Sequence, residues 1–145
     1  MATSKDRVGA GAIVYKKENG QILWLLHRTD DSNSWKFPKH LSGKEESSVR
    51  AAIRKTERVA GLRAQVLEEV GRAWVSVDSG RTTRPALTLY YLLKKRKNQE
   101  EAKSATEKCE IAWFPIQAAR PRLELKTERE FLSQANRLRH QLPPR

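Results

Sequence analysis

The stretch from Trp35 to Leu62, WKFPKHLSGKEESSVRAAIRKTERVAGL, limits the fold more than any other part of the chain. Val49, Ala52, Ile53, Thr56 and Ala60 recur at helical spacing and predict one narrow apolar face over about Ser47 to Ala60. Ser47 and Ser48 are both candidate N-caps. Gly61 stands where a helix needs a left-handed residue to stop. Arg50, Arg54, Lys55 and Arg58 spread over the other side of this helix. Before it, Trp35 and Phe37 alternate around Lys36 as in a short strand, which Pro38 is expected to end.

The flanking segments read mostly as strands. Val8–Tyr15 is apolar enough for a buried first strand, and Ile22–Arg28 returns from it across an Asn19-Gly20 hairpin turn. His27 and Arg28 close that second strand. Beyond Gly61, Arg63–Leu67 and Glu68–Val77 read as two strands, and Ala86–Leu93 as a central one with Tyr90 and Tyr91 on opposite faces. Glu68 and Glu69 are read as water-facing at a strand edge, and Asp30-Asp31 as solvated. Ile116–Leu125 reads as a connecting segment. A closing helix is expected over Thr127–Leu142, with Thr127 and Glu130 as a capping box and Phe131, Ala135 and Leu138 as its apolar stripe.

At 145 residues the chain has the length of one domain with a substantial core. Its 29 Lys and Arg against 17 Asp and Glu leave a formal charge of +12, which favours an anionic partner such as a nucleotide or RNA. The run Lys94–Lys97 is either part of such a surface or a solvated loop. Cys109 is the single cysteine, so neither a disulfide framework nor a cysteine metal cluster is expected. No apolar run approaches the roughly 20 residues of a membrane span, and the start lacks the apolar core of a signal peptide. An intracellular, cytoplasmic setting without membrane contact is the expectation.

The opening stretch resembles the Nudix box, G-x5-E-x7-R-E-U-x-E-E-x-G-U with U a bulky apolar residue, without a gap. Glu46 falls on the first Glu, Arg54 on the Arg, and Gly61-Leu62 on the closing pair, while Trp35–Lys39 resembles the lead-in of the diadenosine tetraphosphate hydrolase-like branch. The resemblance extends to the first two strands and to Glu110-Ile111-Ala112-Trp113-Phe114. It implies an α/β fold, with a mixed sheet between helices in an α/β/α sandwich, spanning residues 6–140 of one domain. It also implies a structural Glu46–Arg54 pair, a Lys at position 39 beside substrate phosphates, and a carboxylate near Glu110 that serves some members as general base. The opening Gly is His40, and the three remaining Glu are Lys55, Arg58 and Val59. Those carboxylates are implied to hold the divalent metals that activate water for attack on phosphorus. An ammonium, a guanidinium and an isopropyl group are not Mg2+ ligands.

The first expectation is therefore a Nudix-fold protein that binds a nucleotide, dinucleoside polyphosphate or RNA phosphate without hydrolysing it and without a resident cofactor. Lys39, Lys55, Arg58, Arg81 and Arg84 are the candidate phosphate-binding cations, and Trp35 and Tyr90 the candidate base-stacking rings. Arg54 and Gly61 are its structural elements. The alternative is a Mg2+- or Mn2+-dependent hydrolase of a nucleoside diphosphate derivative, with a displaced metal site drawing on Glu46, Glu57, Glu110 and, as reserves, Glu68 and Glu69. Glu57 alone reads as a salt-bridge partner of Arg50 or Arg54. A third reading is a basic scaffold for protein or RNA.

Overall fold

The structure is a computed structural model that describes residues 7–29, 33–80, 82–96 and 105–142. Arg81, Lys97 and Asp30-Asp31 lie outside the described residues, as do residues 98–104 of the polar loop that the sequence predicts over Asn98–Lys108. In chain order the elements are β1 (Gly9–Glu18), β2 (Gln21–Arg28), β3 (Lys39–Leu41), α1 (Ser48–Ala60), β4 (Gln65–Asp78), β5 (Thr83–Lys94), β6 (Glu110–Phe114), α2 (Ile116–Ala119) and α3 (Lys126–Gln141). A 3-10 turn over Arg120–Arg122 joins the last two helices.

The sheet is mixed, in the order β3-β4-β5-β1-β2-β6. β1 runs parallel to β5 and antiparallel to β2, with Glu18 opposite Gln21 across the hairpin. Asn19 and Gly20 take φ of 53° and 78°, the pair of left-handed residues a two-residue hairpin turn requires. β3 pairs with the start of β1 and also, at His40 and Asp78, with the end of β4. Strands β4, β5, β1 and β3 therefore close into a ring at one end. Leu41, Val77 and Ala86 cluster in that closed part.

Period-two alternation sorts the side chains of β1 onto two faces. Ala10, Ala12 and Val14 join Leu25, Tyr91 and Leu93 under α1, while Ile13 and Tyr15 join Trp24, Leu26, Tyr90 and Leu92 under α3. This is the α/β/α layering the fold expectation required. Ser47 caps α1 by accepting the Arg50 amide at 3.1 Å, and Gly61 ends it at φ 72°.

Five details differ from the reading of the sequence. Residues 65–78 form a single strand, because β5 pairs with it along its whole length and irregularities at Val66/Glu68 and Glu69/Gly71 bend it without breaking it. Trp35 and Lys36 make only isolated bridges, and the strand lies beyond Pro38. Pro38 lacks a donor, yet its carbonyl accepts the Ala12 amide at 2.9 Å, so the chain stays on the sheet. The connecting segment holds α2 and the 3-10 turn. α3 starts at Lys126 behind Leu125, with no side-chain cap, so Thr127 lies inside the first turn and forms no capping box. Finally, the buried face of α1 is rotated: Ala51, Lys55 and Val59 are buried with Ala52, Thr56 and Ala60, while Val49 and Ile53 are half-buried.

Candidate functional site

Two polar centres lie on opposite faces of the sheet, because β3 distributes alternate residues to each. Lys39 is opposite Gly11 and shares its face with Tyr90, whereas His40 is opposite Ala10 on the α1 side.

On the α1 side, Lys55 is the hub. Its side chain is 1% exposed, and its ammonium donates to both oxygens of Glu107 at 2.7 Å and to Oδ2 of Asp78 at 3.1 Å. The Thr106 and Glu107 amides donate to the Arg58 carbonyl at 2.9 and 3.1 Å, which lays the segment before β6 along α1. His27 is buried beside this cluster, and its Nδ1 has no partner among the described residues. Burial, then the Lys55 charge, drives its pKa down to about 4, so the ring is neutral at pH 7. Burial also lowers the pKa of His40, whose Nδ1 lies 2.8 Å from the Leu41 carbonyl.

Beside this cluster Glu46 is gripped by Arg54, with Nε to Oε2 at 2.7 Å and Nη2 to Oε1 at 2.8 Å, and by the Gly43 amide at 2.8 Å. The hydrogen bonds from Arg54 hold the Glu46 pKa at about 2. This ties the loop after β3 to the middle of α1.

On the other face, Glu128 of α3 is 2% exposed. It accepts from Lys39 Nζ and from the Tyr90 hydroxyl, each at 2.5 Å. Burial, with the Glu128 charge, raises the Tyr90 pKa. Lys39 and Glu128 form the floor of a cleft of about 260 Å3 whose walls include Trp35, Lys36, Trp74, Ser76 and Leu125. Arg28 lies over the Trp35 ring at 4.5 Å, and Phe114 meets that ring edge-on at 5.2 Å. Trp74 is 71% exposed.

The structure therefore separates residues that sequence reasoning grouped. Lys39 and Lys55 serve different faces, each engaged by carboxylates of the chain itself, so they do not converge on one phosphate. Arg58 is exposed, and Val59 is buried against the core. Arg84 is half-buried on β5 opposite Val77. Tyr90 is fully buried and cannot stack a base. Glu57 lies 4.0 Å from Arg63 rather than pairing with Arg50 or Arg54. Glu110 pairs with Arg28 at 2.9 Å, and Glu69 with Arg72 at 2.7 Å, while Glu68 is exposed. Glu46, Glu57 and Glu110 are thus each beside an arginine and are not gathered into one carboxylate site. Among the described residues no group of three or more His, Cys, Asp or Glu is placed to hold a metal ion.

Four participants were missed in the sequence: Asp78, Glu107, Trp74 and Glu128. Two carried a signal. Glu128 precedes Phe131 and Leu132 by three and four residues, on the apolar stripe of α3. Trp74 is a lone aromatic in the solvent-facing row Arg72, Trp74, Ser76.

Comparison with known proteins agrees with this architecture. The NUDIX domain family matches residues 5–135. A candidate mutator protein, MutT4, of Mycobacterium tuberculosis is 28% identical over 137 residues, covering 89% of this chain and 54% of its own length. The chain thus spans about half of that curated relative. The Caenorhabditis elegans Ap4A hydrolase, solved as a binary complex, superposes with a TM-score of 0.75 at 19% identity, over 94% of this chain and 99% of that one. RenU, a Nudix hydrolase of Mycobacterium smegmatis, gives 0.65 at 14% identity, over 95% and 88%. The profile match, the ring of strands and the loop-to-helix clamp at Glu46 and Arg54 agree: the chain belongs to the NUDIX domain family.

Proposed function

We propose that this chain binds a nucleotide or dinucleoside polyphosphate and does not hydrolyse it by the divalent-metal route its family resemblance implies. The observation that carries this reading is the buried Lys55 ammonium, bound on its outer side by Glu107 and Asp78. It stands where the Nudix pattern has a metal-binding Glu. A divalent cation there would meet a positive charge at Lys55, an exposed guanidinium at Arg58 and an apolar side chain at Val59. Mg2+ and Mn2+ need hard oxygen donors, so these residues do not fit the metal.

Binding is supported by the cleft. The exposed Trp74 is among its lining residues, and Lys36 stands exposed at its rim within reach of phosphate charge. Trp35 serves as a wall rather than a stacking face, since Arg28 already covers it. The net charge of +12 favours encounter with anionic ligands.

The test is a titration of Trp fluorescence with ATP and with diadenosine tetraphosphate, in EDTA and in Mg2+. Saturable quenching in EDTA, lost in Trp74→Ala, is the expected result. Binding that appears only with Mg2+, or quenching unchanged in Trp74→Ala, contradicts the proposal.

A further inference from the structure

The base of the cleft carries a feature that stacking alone leaves unused. Both hydrogen bonds received by Glu128, from Lys39 Nζ and from Tyr90 Oη, go to one oxygen, Oε2. Oε1 takes no hydrogen bond from a described residue. Among the described residues the buried polar side-chain atoms without a partner are Trp24 Nε1, His27 Nδ1 and Ser42 Oγ, so Oε1 is not sealed off and reaches the cleft as a free acceptor. Lys39 has three donors and gives one of them to Glu128. The charges of Lys39 and Glu128 cancel, so the floor of the cleft does not attract phosphate. It presents a hydrogen-bond acceptor beside a donor, in a cavity of about 260 Å3 whose lining residues include Trp35 and Trp74.

Resting on the nucleotide-binding reading above, we infer that Glu128 and Lys39 select the base: one whose edge sets an N–H donor beside an acceptor. The adenine 6-amino group beside N1 is such an edge. The amine donates to Oε1 of Glu128, and N1 accepts from Lys39. Guanine meets the same pair with its N1–H and O6. Purine without the amine offers acceptors alone and leaves Oε1 unpaired. A site built to receive a donor discriminates against an analogue lacking it, because its acceptor is then covered and stranded.

Isothermal titration in EDTA with ATP and with purine riboside triphosphate tests this. The wild-type chain is expected to bind ATP about tenfold or more tightly, the range of a hydrogen bond to a charged group. Glu128→Gln must turn its carbonyl toward Lys39 and Tyr90, which places its NH2 where Oε1 was. That exchanges an acceptor for a donor, so the preference for ATP is expected to shrink to within about twofold or to reverse, an outcome that loss of packing does not produce. If Glu128→Gln does not fold, the wild-type comparison still decides. Equal affinity for the two ligands in the wild type overturns the inference while leaving nucleotide binding intact. Failure of both ligands to bind overturns the nucleotide reading itself, and this inference with it.

Discussion

Lys55 concentrates most of what distinguishes this chain at the level of single residues. A lysine sealed from solvent is costly unless its donors are met, and here three carboxylate oxygens meet them. Lys55→Met removes the ammonium and leaves Asp78 and Glu107 facing each other across an apolar side chain. Both carboxylates are a third or more exposed, so water relieves part of the penalty. The expected loss is about 1–3 kcal/mol in urea unfolding. Hydrogen exchange should rise at the Thr106 and Glu107 amides, which that clamp holds against the Arg58 carbonyl.

Two neighbouring groups set the acid limb of stability. Glu46 is held at about 2, below its ordinary 4.5, so its contribution is complete above pH 4.5 and disappears as pH falls through about 2. His27 is pushed from 6.5 to about 4, and a base with a depressed pKa follows the same sign. Its neutral form favours the fold fully above pH 6.5, and stability falls between pH 6.5 and 4 as the unfolded chain takes up the proton first. His27→Gln should reduce the decline between pH 6.5 and 4, leaving the part that the lowered His40 pKa contributes, and keep the one below 4.5. A stability curve flat from pH 7 to 4.5 in the unaltered chain contradicts this assignment.

Among the elements, α1 was the most legible in the sequence. Its cap at Ser47, its stop at Gly61 and its Glu46–Arg54 clamp rest on local rules, which need no knowledge of what lies across the sheet. The partners of Lys55 come from β4 and from the segment before β6, at separations of 23 and 52 residues, and no helical period points to them. The same applies to Glu128, 89 residues from Lys39. Read from the sequence alone, β4 divides in two because Glu68, Glu69 and Gly71 interrupt its alternation, whereas its continuity comes from pairing with β5. Gly71 marks the contact of β4 with α3: a Cβ there would lie 2.4 Å from Phe131 Cε1. Gly71→Ala should therefore cost about 1–3 kcal/mol by forcing that ring to shift. Because the displaced ring lies against Tyr90, with centroids 4.9 Å apart and planes tilted by 54°, nucleotide affinity should fall along with stability. Thermal melts together with ligand titration of this variant would show whether the α3 seam positions Glu128.

The whole molecule combines a family scaffold with charges arranged in an unfamiliar way. The ring closed by β3 and the two helical layers are those of the NUDIX domain. Within it, the conspicuous charges inside the core are neutralised internally: Lys55 by Asp78 and Glu107, Lys39 by Glu128, Arg54 by Glu46. The excess positive charge of the sequence is therefore carried largely by its surface, where salt screens it. Nucleotide affinity should weaken with added salt through the phosphates, while the preference among bases, set on the neutral floor of the cleft, should change little between 50 and 300 mM KCl, concentrations over which the screening length shortens from roughly 14 to 6 Å.

The most direct test of the central claim is phosphate release from ATP, diadenosine tetraphosphate and ADP-ribose in Mg2+ and in Mn2+, on protein shown by titration to bind at least one of them. If Lys55 stands in place of a metal ligand, release stays at the background of a protein-free control in either metal, while binding persists in EDTA. Metal-dependent release that disappears in Glu46→Gln or Glu110→Gln would contradict the account, and would mean that carboxylates now paired with Arg54 and Arg28 rearrange to hold the metals.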